Sequence, residues 1–343
     1  MGERAKPVAS TVTRDDVARL AGVSPAVVSY VVNGTKRLTP ETTARVNDAI
    51  AKLGYRPNRA ARSLRLGSSE TLGIVLPDTS NAFFMMLSQA VELAAADRGH
   101  GLLVVNSDGT RAGEAARLDR LAARGVDGLI LCSSVAFPDV KAFGSRPLLL
   151  LNQYERVHGV HTVGVDLLLG AKLAVEHLAD HGHRRIGLLA GETSEGDPDA
   201  RETGWVEAVS EHGLQRGPVA RERFSAAGGY LAAQRLIEDG ALPSAFFVAS
   251  DQMALGMLRA FHEHGIRVPE DIAIVSFDNV PDSAYSWPPL ATIAQPLAAM
   301  GSAAVDALLS GEEPRRRLFV PSLVRRVSCG CPPGEGDGAP AHG

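Results

Sequence analysis

VTRDDVARLAGVSPAVVSYVVNG, residues 12–34, decides how the chain is read. Thr13 stands where it would cap a helix, with Asp15 and Asp16 in the first turn, where carboxylates meet the positive end of the helix dipole. Val17, Leu20 and Ala21 recur at helical spacing and predict one apolar face; Gly22 can take the left-handed conformation that ends the helix. Ser24 caps a second helix, with Pro25 at its first position, where a missing N–H costs nothing. Val27, Val28, Val31 and Val32 supply its apolar side, and Asn33-Gly34 stops it. Two short helices meeting at a tight turn are the sequence form of a helix-turn-helix, whose second helix enters the major groove of DNA. An ordinary helical hairpin at the edge of a core has the same local pattern, so the flanking chain has to separate the two.

Thr39-Pro40-Glu41-Thr42 opens a third helix, in which Val46, Ile50 and Leu53 share a face and which Gly54 ends. Tyr55-Arg56-Pro57-Asn58 then leads into RAARSL, residues 59–64. A helix over 58–66 is too short to hold alone and needs DNA or a second copy to order it. Charge supports the DNA reading. Residues 1–67 carry 12 Lys/Arg against 5 Asp/Glu, whereas the rest of the chain carries 23 against 34. A basic head suits phosphate, and an acidic body discourages indiscriminate adhesion to nucleic acid. VTRDDVARLAGVS, VVNG and GYRPNRAARSL together resemble the DNA-binding headpiece and hinge of the LacI/GalR family of bacterial transcription regulators.

The 343 residues allow two or three domains, and 45% hydrophobic content supports sizeable cores. No apolar run reaches membrane-spanning length, and the polar start MGERAKPVAS has no secretory apolar core, so a cytoplasmic protein with no membrane partner is expected. Cys132, Cys329 and Cys331 make no disulfide framework, consistent with a reducing compartment. Cys329-Gly330-Cys331 is half a metal-site spacing, but the sequence offers no matching Cys/His cluster, so neither a metal nor a cofactor is expected.

From Leu72 the pattern changes to aliphatic runs alternating with helical stretches: LGIVLP, LLVVNS, DGLILC, LLLLN, RRIGLLAG, SAFFVAS and DIAIVSFDN. Helices are expected over 81–96, 114–124, 168–181, 200–212, 228–239 and 252–264, with Asp251 as the N-cap of the last. This is α/β with parallel sheets, suggesting two sheet lobes in tandem, with ligands at the carboxyl ends of the strands. LGIVLPDTSNAFF, RGVDGLIL, HGHRRIGLLAG, ARETGW, SDQMALG, GIRVPEDIAIVSFDN, LATIAQP and PSLVRR resemble the body of the same family. The resemblance covers residues 12–328. It implies a periplasmic-binding-protein-like fold of two lobes around a cleft, with three crossovers. The expected divisions are a helix-turn-helix headpiece at 1–54, a hinge at 55–67, an effector-binding and dimerisation domain at 68–330, and a disordered Gly/Pro-rich tail at 331–343. The tail has no leucine heptads, which predicts a homodimer.

On DNA, the second helix turns Ser24, Pro25, Ala26, Ser29 and Tyr30 away from its valines, and the resemblance puts Pro25, Ala26 and Tyr30 at base-reading positions. Pro25 and Ala26 depart from the polar residues frequent there; they offer only thymine-methyl or shape contacts, and Tyr30 one hydrogen bond. Thr13, Ser24, Asn33, Arg37, Thr39 and Thr42 are expected on phosphates. In the hinge, Tyr55, Asn58, Ala61 and Leu64 complete the DNA surface, and the resemblance implies that paired Leu64 side chains wedge into the minor groove and kink a pseudo-palindromic operator. In the cleft, Asn81, Phe84, Asn152, Arg201, Trp205, Ser250 and Asp278 are the effector candidates. Arg201 and Asp278 match family positions that bind polar groups of effectors, and a charged pair beside an aromatic suits a sugar. Ser250 stands where Asn is frequent in the family and Asn152 where Asp is. The expectation is an effector-responsive repressor; the alternative is a solute-binding protein without DNA-directed regulation. HGH at 181–183 reads as a helix end and turn, with no catalytic constellation, so no enzyme is expected.

Overall fold

The computed structural model describes residues 12–55, 67–107, 109–133, 146–192, 199–240 and 242–332. The expected hinge helix, with Asn58, Ala61 and Leu64, lies outside them, as does the tail from 333 onward. The chain forms two units that divide between Ser69 and Glu70.

The first unit is helical: α1 Arg14–Ala21, α2 Pro25–Asn33 and α3 Pro40–Leu53. Local chemistry sets each boundary. Thr13 and Asp16 make a reciprocal capping box on α1, Ser24 accepts from Val27 N–H at the start of α2, and Thr39 accepts from Thr42 N–H at the start of α3. Gly22, Gly34 and Gly54 end the three helices in the left-handed region. Val17, Ala18, Ala21, Val28, Val46 and Ala49 form the core. The expected face of α1 was one step off. Leu20 is 52% exposed and Ala18 is buried in its stead, because α2 and α3 cover the side of Val17 opposite Leu20.

The second unit holds two six-stranded sheets. The first takes β1 Thr71–Leu76, β2 Gly101–Asn106, β3 Gly128–Leu131, β4 Leu148–Leu151, β5 His161–Val165 and β11 Arg316–Phe319, ordered 11-5-4-3-1-2 and parallel throughout. The second takes β6 Arg185–Gly191, β7 Gln215–Glu222, β8 Ala245–Val248, β9 Ala273–Asp278, β10 Ala291–Ala294 and β12 Ser322–Val324, ordered 12-10-9-8-6-7, with only β12 antiparallel. The chain passes between the sheets three times, after β5, β10 and β11, as the resemblance implied. Each lobe repeats one doubly wound order, and each reverses direction beside its first strand, which opens a crevice at the strands' carboxyl ends.

The helices are α4 Ala82–Asp97, α5 Arg111–Ala123, α6 Leu167–Asp180, α7 Ala200–Glu211, α8 Ala226–Glu238, α9 Asp251–Glu263, α10 Pro281–Tyr285 and α11 Leu297–Ser310. In the first lobe α4 packs on α11, and Arg98 ties them by donating to Asp306 at 2.6 Å and Ser302 at 3.0 Å. In the second, α6 pairs with α7 and α8 with α9. Helices α8 and α9 touch backbone to backbone: a Cβ on Gly256 would overlap the Ala226 carbonyl, and one on Gly229 the Met253 carbonyl. Gly256→Ala is therefore expected to destabilise the body by about 2–3 kcal/mol through overpacking. Urea unfolding followed by tryptophan fluorescence measures this, and an unchanged midpoint would contradict the crossing.

Candidate functional site

In the first unit, α2 exposes Ser24, Pro25 and Ala26 and leaves Ser29 and Tyr30 half-exposed, opposite the buried Val28. Asn33 Nδ2 donates to the Ser29 carbonyl at 2.8 Å and to Ser29 Oγ at 3.1 Å, so this pair is held in register. The Tyr30 ring lies 5.6 Å from Lys36 Nζ, which brings a cation beside the expected base-reading residue. Arg37 is exposed. Thr13 and Thr39 are exposed but already employed as caps: Thr13 Oγ1 donates to Asp16 at 2.6 Å and Thr39 Oγ1 to Thr42 at 2.9 Å. Tyr55 packs against the headpiece core and its N–H closes α3 on the Ile50 carbonyl at 3.1 Å.

In the second unit Arg201 and Asp278 come together where the second sheet reverses. Asp199 caps α7 and grips Arg201 twice, Oδ1 accepting from Nε and Oδ2 from Nη2, each at 2.8 Å. Arg201 Nη1 donates to the Ala249 carbonyl, just past β8, at 2.7 Å. The guanidinium lies 4.8 Å from the Phe224 ring centre and 5.5 Å from that of Phe277. Phe224 follows β7 and covers Gly191 at the end of β6, where any Cβ would overlap its ring. Asp278 ends β9 with φ +111°, a conformation an L-residue adopts at a cost and one that concentrates at functional sites. It is 7% exposed and accepts from Gln295 Nε2 at 2.9 Å.

The electrostatics follow from that packing. Burial pushes the Asp278 carboxyl well above its ordinary range, the nearby Asp251 pushes it further, and Arg201 only partly offsets them. Burial is the largest influence on Asp199 and opposes its ionisation, but the Arg201 charge and the hydrogen bonds from its side chain and backbone together outweigh it and hold that carboxyl below its usual value. An arginine fixed in orientation, a carboxyl that can accept or donate, an amide and an aromatic face offer the groups a polyhydroxylated ring requires.

The remaining expectations fare unevenly. Asn81 is buried and accepts from Phe83 N–H at 3.0 Å as the cap of α4. Phe84 is half-buried against Phe83, and Asn152 follows β4 in the left-handed region at φ +60°. Ser250, 2% exposed, spends its hydroxyl on Met253 N–H as the cap of α9. That corrects the assignment of the cap to Asp251. Asp251 is fully buried inside the first turn and accepts from Ser276 Oγ, from Thr292 Oγ1 at 2.7 Å and from Val280 N–H at 2.8 Å. Trp205 is also corrected: it is 1% exposed in the core, and its Nε1 has no partner among the described residues. It faces inward because α7 lays that side on the sheet and α6, so Phe224 and Phe277, which the sequence reading passed over, are the aromatics beside Arg201. Cys331, assigned to the disordered tail, is buried. It sits 3.5 Å from both His177 Nε2 and His181 Nε2, so the missing partners of Cys329-Gly330-Cys331 lie on α6 and at its end.

Among the described residues no helix is long and apolar enough to cross a membrane. Residues 13–58 match the family described as bacterial regulatory proteins, lacI family, and residues 175–329 match the periplasmic binding protein-like domain. The ribose operon repressor of Haemophilus influenzae is 32% identical over 325 residues, covering 92% of this chain and 98% of its own. The HTH-type transcriptional repressor PurR of Pasteurella multocida is 33% identical over 327 residues with the same shares covered. The crystal structure of the lac repressor dimer bound to operator and the anti-inducer ONPF is 31% identical, covers 93% of this chain and 99% of its own, and superposes with a TM-score of 0.84.

Proposed function

The chain belongs to the lacI family of bacterial regulatory proteins, and from that premise we propose that it is a homodimeric cytoplasmic repressor released from, or fixed to, its operator by a sugar-class effector. The observation that carries the effector half is the Asp199–Arg201–Phe224–Asp278 constellation at the carboxyl ends of β6 to β9. A solute carrier would share that constellation but has no use for a basic helix-turn-helix with an exposed Ser24-Pro25-Ala26 edge. Headpiece and body act together as follows. Ligand held between the lobes favours one lobe arrangement, and the operator favours one hinge arrangement. The two are linked by no more than the ligand's differential affinity for the two states. The domain divisions proposed are the headpiece to Gly54, the hinge to 67 and the body beyond.

The test is binding of full-length protein to its own upstream DNA, with and without a panel of pentoses, hexoses, disaccharides and nucleobases. Specific retention altered by one sugar supports the proposal. Binding indifferent to every sugar but altered by a nucleobase overturns the sugar class, and no specific retention overturns the repressor. Leu64→Ala in the same assay is expected to weaken specific binding about tenfold or more while leaving non-specific binding nearly unchanged, because a wedge acts only at a kinked centre. Equal loss on both DNAs would exclude a wedge.

A further inference from the structure

Three side chains able to hold a metal ion, His177, His181 and Cys331, meet where helix α6 ends, with Cys329 beside His177. His177 and His181 are one turn apart on one face of the helix, their rings 4.6 Å apart edge to face. Against them sits a 3-10 turn, Val327–Cys329, followed by Gly330 and Cys331. His177 Nε2 lies 3.1 Å from Cys329 Sγ and 3.5 Å from Cys331 Sγ; His181 Nε2 lies 3.5 Å from Cys331 Sγ. One ligand atom from each of His177, His181 and Cys331 falls within 4.8 Å of the others. In a tetrahedral zinc site, Zn–N near 2.0 Å and Zn–S near 2.3 Å put nitrogen and sulfur about 3.5 Å apart, as for the two contacts of Cys331.

The turn is braced independently of any ligand. Arg326 donates to the Leu290 carbonyl at 2.7 Å and to Asn279 Oδ1 at 2.8 Å. Ser328 Oγ donates to the Ile274 carbonyl and accepts from Ala291 N–H, both at 2.8 Å. Gly330 takes φ +92°, a backbone conformation that L side chains rarely adopt, and this turn brings Cys331 back over the helix end. The cluster also faces the negative end of the α6 dipole, which favours a cation. Cys329 and His177 are buried, whereas His181 is exposed and leaves an approach from solvent.

We propose that His177, His181, Cys331 and Cys329 bind one zinc-class divalent cation, with the Cys329 thiol turning from the Arg326 carbonyl, to which it donates at 3.0 Å, to become the fourth ligand. Coordination releases the proton of each thiol and takes both histidines as neutral imidazoles. The cation would pin the last described turn of the chain to α6, a role distinct from the effector constellation.

The experiment uses untagged full-length protein, reduced and stripped of metal, titrated with Co²⁺ and then Zn²⁺. The expected result is one Co²⁺ per chain with thiolate-to-cobalt charge transfer and tetrahedral ligand-field bands, all bleached by Zn²⁺. Cys331→Ser and the surface variant His181→Ala should each weaken binding by at least about a hundredfold, beyond what an outer-shell partner alone contributes. Zn²⁺ should raise the melting temperature of the parent protein and of neither variant. His181→Ala, being at an exposed position, should melt with the metal-free parent, which separates lost ligation from misfolding. Cobalt bound without the charge-transfer band, or binding retained in Cys331→Ser, would each overturn the proposal.

Discussion

Asp251→Ala is expected to lower the stability of the body by about 2–4 kcal/mol, the cost of one stranded buried donor and the cavity left beside it. Its carboxylate is completely buried and fastens the first turn of α9 to β9 through Ser276, to β10 through Thr292 and to the start of α10 through Val280 N–H. The two hydroxyls have other partners in reach, since Ser276 Oγ lies 3.2 Å from the Ala291 carbonyl and Thr292 Oγ1 accepts from Asn279 N–H at 3.2 Å. The Val280 N–H would be left facing a cavity. Asp251→Asn keeps one acceptor but turns an NH₂ toward groups that donate, so it should lose less, about 1–3 kcal/mol at neutral pH.

The pH dependence separates charge from shape. Burial raises the Asp251 carboxyl from 3.8 to about 6, although Ser276, Thr292, Val280 and Ser283 all favour its ionised form. The folded chain therefore holds this proton more tightly than the unfolded chain, and stability falls as pH rises from about 4 through 6, by about 3 kcal/mol in total. An Asn side chain carries no such term. The penalty of Asp251→Asn relative to the parent should consequently be largest near pH 4 and shrink toward pH 7. A penalty constant across that range, in urea melts at several pH values, would show that Asp251 does not titrate there.

What could be read in the sequence was what short-range chemistry determines. The caps at Thr13, Ser24 and Thr39 each need only a backbone N–H two or three residues away, and each forms as expected. Strands β1, β3, β4, β6, β8 and β9 are buried along nearly their whole length and so appear as aliphatic runs. Strand β7, QRGPVARE, lies at a sheet edge with alternating exposure and a proline, and gives no such signal. Strands β10 to β12 are as short as β3, β4 and β8 but lack a continuous aliphatic run, and β11 and β12 are part-exposed, so no pattern marks them. The candidate site divides along the same line. Arg201 and Asp278 were identifiable through motif resemblance, but Phe224 joins them only because β7 ends beside β6. Trp205 misled because, one turn along α7 from Arg201, it lies in the core against the sheet and α6. The partners of Cys331 are about 150 residues away and visible only once the second lobe has folded.

Arg201→Lys is expected to cut the effector response by at least about a hundredfold while the chain remains folded. The guanidinium is 13% exposed, and three different directions fix it: the Asp199 carboxylate on two nitrogens, the Ala249 carbonyl on a third, and the Phe224 ring on its face. Lysine retains the charge that offsets Asp199 and partly offsets Asp278, so the buried carboxylates stay compensated. It loses the planar fork and the stacking surface, and these define where a ligand's hydroxyls and ring edge meet the protein. Arg201→Ala removes the compensation as well. It should destabilise the body by about 3–5 kcal/mol on top of abolishing the response, because Asp199 and Asp278 would face each other across a vacated site. The pair of variants therefore separates two roles: loss of response in Lys with a parental melting temperature assigns Arg201 to ligand recognition, whereas a parental response in Lys with collapse of Ala assigns it to neutralising the carboxylates. Operator retention titrated with the effector found by the sugar panel, alongside thermal melts without effector, decides between them. If the response is retained in both variants, the ligand contacts lie elsewhere in the cleft.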